Sequence, residues 1–134
     1  MTYRQEVGKR GETLACAYLE EKGFQVIGRN IHVGHDEIDI IAEDEKYIIF
    51  AEVKTRAQTA SNRRYGTPAE AVNFTKKQKL LRSATEYLRE HPVKKQPRID
   101  VVEVYFPAVR ESDAIPPEQL DALRIRHFTN AVHK

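Results

Sequence analysis

Apolar and polar positions change period along this chain, and the changes mark its elements. From Tyr3 to Lys22, Val7, Gly11, Leu14, Ala15, Tyr18 and Leu19 recur at helical spacing, and Gly23 supplies a stop. Phe24 to Ile31 reads as a first strand. Ile38-Asp39-Ile40-Ile41-Ala42, the polar break Glu43-Asp44-Glu45-Lys46, and Tyr47 to Val53 then predict strand, tight turn and strand. The last of these is apolar on both faces, as befits a central strand covered from both sides. The polar stretch 55–66 predicts a mobile loop. Thr67-Pro68-Ala69-Glu70 predicts a helix start, with Thr67 as N-cap, Pro68 at the first helical position and Glu70 closing a capping box. Val72, Leu80, Leu81, Ala84 and Leu88 form the buried side of that helix as far as His91-Pro92. Ile99 to Phe106 predicts a further strand, 107–117 an irregular stretch, Pro116 to Leu123 a short helix, and Ile125 to Phe128 an edge strand. The expected class is α/β, in the order αβββαβ before that edge strand.

The predicted hairpin brings charge to an apolar place. With its turn centred between Glu45 and Lys46, antiparallel pairing sets Asp39 opposite Glu52 and Glu37 opposite Lys54, so four charged side chains share one patch. Two carboxylates about 5 Å apart repel unless a cation or a proton sits between them. Hard divalent cations take such oxygens together with water and phosphate oxygens. Asp39 and Glu52 are the candidate ligands, with the Val53 carbonyl as a further oxygen. Lys54 can orient a water or offset charge on a phosphate, which implies metal-assisted phosphodiester hydrolysis. From spacing alone a charged strand end fits as well, with Glu37 paired to Lys54 and both acids solvated.

Composition narrows the picture. The chain has 134 residues and a formal net charge of +2, enough for one domain with a single sheet. It carries no apolar run of membrane-spanning length and no signal-peptide pattern, so a cytoplasmic protein without a membrane partner is expected. Its one cysteine, Cys16, falls inside the first helix, which excludes a disulfide framework and a thiolate metal cluster. No glycine-rich phosphate loop is present, which argues against a nucleotide-dependent enzyme. Basic residues gather at Arg63-Arg64, at Lys76-Lys77-Lys79 with Arg82, and at Lys94-Lys95 with Arg98. An acidic centre flanked by basic surfaces suits a nucleic-acid backbone, although the Lys76 to Arg82 group also fits an ordinary solvated helix face.

The ordered set of clusters adds a resemblance. Gly11-Glu12 with Ala15 and Tyr18-Leu19, Gly23-Phe24, Arg29-Asn30, Glu37 to Ala42, Phe50 to Arg56, Ala71-Val72 with Lys76, and Arg98 to Val102 together resemble the PD-(D/E)XK nuclease superfamily. Within it the chain most resembles the YraN-like family of bacterial proteins, related in fold to archaeal Holliday junction resolvases. The resemblance covers most of the chain and implies a restriction-endonuclease-like core, a central mixed β-sheet flanked by helices. Carried over by position, it implies metal binding by Asp39 and Glu52, an auxiliary metal or water-binding role for Glu12, and catalysis by Lys54, with Mg2+ or Mn2+ as cofactor. Asp36 stands where that family usually has glycine, which makes the approach to the site more acidic. In the superfamily the helix after the loop directs a polar residue into the site, and Lys76 and Lys79 are the candidates. Junction resolvases also make a homodimer a reasonable expectation.

The expected function is therefore a divalent-metal-dependent endonuclease acting on nucleic acid, DNA in the first instance. Arg56, Arg63 and Arg64 are the candidate phosphate contacts of the 55–66 loop, with Tyr65 for base stacking, Lys76 and Lys79 as further nucleic-acid contacts and Glu37 as an auxiliary acid. Two alternatives stand beside it: a catalytically silent nucleic-acid-binding module, and a protein-interaction scaffold on a nuclease-like core.

Overall fold

The computed structural model describes residues 2–58, 74–108 and 115–132. Helix α1 (Tyr3–Glu21) begins at a capping box in which the Thr2 hydroxyl accepts from the Gln5 N–H and the Gln5 side chain answers the Thr2 N–H. It ends in a Schellman turn: Gly23, at φ +99°, donates to the Glu20 carbonyl, and Phe24 donates to that of Leu19. Strands β1 (Gln25–Val33), β2 (Asp36–Glu43) and β3 (Tyr47–Gln58) follow as an antiparallel meander. Helix α2 (Phe74–Glu90) leads to β4 (Gln96–Pro107), which lies parallel to β3. A single 3-10 turn, Pro117–Gln119, precedes the antiparallel edge strand β5 (Arg124–Val132). The result is a five-stranded mixed sheet in the order β1-β2-β3-β4-β5, with β3 at its centre.

The β2–β3 turn sets the register on which the site depends. Asp44 Oδ1 accepts from the N–H groups of Lys46 (2.9 Å) and Tyr47 (2.7 Å), an Asx-type turn that fixes where the chain reverses. The pairs Glu43 with Ile48 and Ile40 with Ala51 follow, in the register expected from the sequence.

One core lies on each face of the sheet. Ala15, Leu19, Ile40, Ala42, Ile49, Ala51, Val102, Val104 and Phe106 pack under α1, with Leu120 of the 3-10 turn closing one end. Ile38, Ile41, Ile48, Phe50, Ile99 and Val101 pack against Leu80 and Ala84 of α2. Gly11 is where α1 comes closest to β3, and a Cβ there would overlap the Thr55 hydroxyl. That close approach brings the adjacent Glu12 to the strand ends.

Several boundaries differ from expectation. Residues Thr55 to Gln58 are not loop: they continue β3 beside Val104 to Pro107 of β4, Thr55 toward α1 and Arg56 onto the acid Glu103. Their polarity disguises a strand whose partner supplies the apolar surface. The remainder of that loop, with Arg63, Arg64 and Tyr65, and the helix start at Thr67 to Glu70 with Val72, lie outside the described residues. The short helix foreseen for Pro116 to Leu123 is reduced to Pro117–Gln119, because the chain extends again at Leu120 (ψ 133°). The edge strand is longer than foreseen, running from Arg124 to Val132.

Candidate active site

Strand alternation breaks at one residue of β2. Ile40 and Ala42 face α1, and Ile38, two positions earlier, should join them; instead it packs on the α2 side with Ile41. The slip falls at Asp39, which sits across from Asn30 of β1, a residue held at φ +49°. Asparagine tolerates this left-handed conformation better than most residues. Beyond Ile40 and Ala51 the β2–β3 ladder hydrogen bonds give way to a side-chain bridge: Asp39 Oδ2 accepts from the Val53 N–H at 2.9 Å. Alternation from Ile41 thus sets the Asp39 carboxylate on the α2 face beside Glu52, and the slip that follows turns Ile38 to the same side.

Glu52 is 4% exposed, and two ammonium groups reach its Oε1: Lys76 of α2 at 2.9 Å and Lys54 of β3 at 3.6 Å. That hydrogen bond from Lys76, together with the charges of Glu52 and Asp39, raises the proton affinity of the lysine despite partial burial. Asp39 shifts most. Burial, and then the neighbouring Glu52 charge, push its carboxyl up to about 7 against the lowering by the Val53 N–H and Lys76. At neutral pH the Asp39 carboxyl stands on the edge of taking up a proton.

The cleft in front of the pair has a volume of about 340 Å3 and is lined by His35, Asp36, Glu37, Asp39, Glu52, Lys76, Lys79, Leu80 and Ser83. Its floor is the sheet and its wall is α2. Lys54 is not among the lining residues; it lies alongside, with 28% of its side chain exposed and its ammonium on Glu52. Glu37 lines the cleft but does not pair with Lys54: its carboxylate lies 3.8 Å from His32 Nε2, on the outer side of the hairpin. Lys79 also faces the cleft, and Lys76 sits deeper than an outer phosphate contact would, on Glu52 itself. Asp36 does not leave the approach acidic, because Arg82 (2.8 Å) and the Ser83 hydroxyl (3.3 Å) hold its carboxylate. The Arg82 hydrogen bond comes first in keeping its carboxyl below the usual value. A larger opening of about 610 Å3 surrounds the β2–β3 turn at the far end of the sheet, among the surface residues Asp44, Glu45 and Lys46.

Glu12 approaches from the α1 side. Its Oε1 is enclosed and accepts no hydrogen bond, with Arg29 no nearer than 3.9 Å. Burial raises its proton affinity, the Asn30 hydrogen bond and Arg29 oppose this, and the Glu37 charge adds to it. Among the described residues no three His, Cys, Asp or Glu side chains gather into a ready metal cage. The donor set is therefore a pair, Asp39 and Glu52, with an unsatisfied acid oxygen on Glu12 nearby. That set fits magnesium or manganese, which bind through one or two carboxylates and fill their remaining positions with water and phosphate.

Among the described residues, a five-stranded mixed sheet between two helices, with charged ends on its central strands, makes this a restriction-endonuclease-like α/β protein. The chain belongs to UPF0102, described as an uncharacterised protein family, whose pattern matches residues 11–104 and so spans both Glu12 and the acid pair. A UPF0102 protein of Caldanaerobacter subterraneus subsp. tengcongensis is 38% identical over 129 residues, covering 96% of this chain and 95% of that one. One of Symbiobacterium thermophilum is 39% identical over 130 residues, covering 96% and 98%. No helix among the described residues is long and apolar enough to cross a membrane.

Two features of the site were not read from the sequence. The Lys76–Glu52 ion pair joins residues on separate elements, and nothing in their spacing announces it. Ser83 reads as one more polar helix residue; its place one turn beyond Lys79 on the cleft face was the available signal.

Proposed function

We propose that this protein is a divalent-metal-dependent endonuclease that hydrolyses phosphodiester bonds of DNA. The observation that carries the reading is the withdrawn acid pair Asp39 and Glu52, in which Asp39 is driven up to about 7 by burial and by its neighbour. A structural acid would be held by donors; this one is opposed by a second acid at the mouth of a cleft. Asp39 and Glu52 would hold the metal, which supplies Lewis-acid charge and an activated water when bound. Lys54, beside Glu52, offsets the negative charge that grows on the phosphate and orients the attacking water. Lys76 balances the Glu52 charge, and Glu12 brings a further oxygen from α1.

One observation favours a silent binding module instead: Lys76 already supplies Glu52 with a cation at 2.9 Å. The two readings separate when purified protein is incubated with labelled single-stranded, duplex, flap and four-way-junction DNA in magnesium or manganese, beside Glu52→Ala. Cleavage by the parent and not by the variant establishes the nuclease and its preferred substrate. No cleavage, with DNA affinity indifferent to magnesium and to Asp39→Ala, establishes the module.

A further inference from the structure

We propose that the sheet face beyond the acid pair is a track for the nucleic-acid backbone, built by Arg56, Arg124 and Arg126 around the buried Glu103, so that the bound strand runs from Glu52 across β3, β4 and β5. The proposal rests on the nuclease reading for its direction but concerns binding alone.

Glu103 is the starting point. It is 1% exposed in the middle of β4, where a bare carboxylate would be strongly destabilising. The Tyr105 hydroxyl donates to Oε1 at 3.0 Å, Arg56 Nε of β3 donates to Oε2 at 3.1 Å, and Arg126 Nη1 of β5 stands 3.9 Å from Oε1. The register places Arg126 directly across from Glu103, and Arg56, opposite Tyr105, reaches Glu103 from the same face two positions beyond Lys54. One buried acid thus fixes arginines from both flanking strands.

Fixing Arg56 leaves part of its guanidinium exposed. A guanidinium carries five N–H donors in a planar fork, and Glu103 takes the Nε edge of Arg56. The Arg56 side chain is 37% exposed and that of Arg126 29%. The Arg124 guanidinium lies 4.1 Å from the Tyr105 ring centre with its Nε on Gln58 (3.2 Å), and that of Arg126 lies 4.9 Å from the Phe128 ring. Stacked this way, the arginines have given up side-chain freedom before any ligand arrives, which favours binding. All of them project from the face that carries Glu52 and Lys54. Glu52 to Arg56 is four residues of β3, about 13 Å, the rise along the helix axis of roughly four base pairs of B-form duplex. A phosphodiester seated at the acid pair therefore has its neighbouring phosphates over guanidinium groups, while an acidic peptide would have no reason to enter between Asp39 and Glu52.

The test is fluorescence anisotropy of labelled single-stranded and duplex 20-mers in EDTA, over a range of salt. Arg124→Gln and Arg126→Gln should each weaken binding roughly fivefold, and each should flatten the slope of log affinity against log salt by about 0.7 for single strands or 0.9 for duplex. Arg126→Lys should retain the slope, and Lys95→Gln, at the opposite end of the sheet, should match the parent. Arg124→Gln leaves every partner of Glu103 in place, so it serves if Arg126→Gln does not fold. Affinity and slope unchanged in Arg124→Gln would overturn the track, as would equal competition by poly-glutamate. If cleavage is absent but the arginine variants still lose binding, the nuclease reading falls and the track stands; if cleavage is intact and those variants bind like the parent, the track alone falls.

Discussion

Asp39 and Asp100 are acids withdrawn from solvent on the same sheet, one facing α2 and the other α1, and their surroundings differ completely. Asp100 is saturated with donors: Arg98 holds both its oxygens at 2.9 Å, His127 Nε2 lies 2.7 Å away, and the Asn130 N–H donates at 2.9 Å. Arg98 is itself stacked against Tyr47 and Phe24, and Tyr18 lies 3.2 Å from the other nitrogen of His127. Burial pushes the Asp100 carboxyl up, but the hydrogen bonds from His127, Arg98 and Asn130 outweigh it and leave it below its usual value. Asp39 has one N–H and a neighbouring acid, and goes the other way. An acid surrounded by its own donors pins β5 to the sheet; an acid facing another acid leaves room for a ligand. Within one fold, electrostatic satisfaction separates the carboxylate that ties strands together from the one proposed to hold a metal.

Mutations at the two acids should give opposite phenotypes. Asp100→Ala removes the acceptor for Arg98 and His127, and should lower unfolding free energy by about 3–5 kcal/mol in urea titration; a loss below about 1 kcal/mol would dissolve the contrast. Lys54→Ala, beside the other acid pair, should slow cleavage about 100-fold or more with an unchanged urea midpoint. An unaltered rate would remove Lys54 from the chemistry.

The pH dependence sharpens the contrast. The folded protein holds the Asp39 proton to about 7, whereas the unfolded chain releases it near 3.8, so between those values the folded state binds more protons and stability falls as pH rises. Asp100 has the opposite sign: its contribution is present above the unfolded carboxyl value and is lost as pH falls through the lower folded one. Asp39→Asn should therefore stabilise the metal-free protein at pH 8 by about 1–3 kcal/mol and flatten the decline between pH 4 and 7. Manganese should raise the melting temperature of the parent at pH 8 and not at pH 5.5, because a ligand carboxyl must be ionised to bind. A melting shift equal at both pH values, or equal in Asp39→Asn, would separate metal binding from Asp39. The smallest effect belongs to Glu37→Gln: on the cleft rim, against an exposed histidine, it should change the cleavage rate about twofold or less.

Of this contrast, the Asp39 side was legible beforehand and the donors of Asp100 were not. The β2–β3 register followed from a turn between two apolar runs, and with it the meeting of Asp39 and Glu52. Glu12 could be named only through resemblance, because its approach depends on Gly11 lying against Thr55, a long-range contact. Thr55 to Gln58 and Arg124 were missed as strand for one reason: each is a polar extension that becomes strand by pairing with β4. Of the three arginines in the proposed track, Arg56 and Arg124 stand on those missed ends, and Arg126 lies within the edge strand foreseen for Ile125 to Phe128.

The parallel ladder between β3 and β4 also bears on how the protein is made. Each of its pairs joins residues 49 positions apart, from Tyr47 with Gln96 to Gln58 with Pro107. A ribosome adding about 5–20 residues per second needs roughly 3–10 s to cover that distance. During this time the hairpin has emerged with the Ile48-Ile49-Phe50-Ala51 edge open to any passing strand, an aggregation hazard that ends when β4 docks. A nascent chain halted before β4 would already contain Glu12, Asp39, Glu52 and Lys54, yet lack the strand that holds β3 in place.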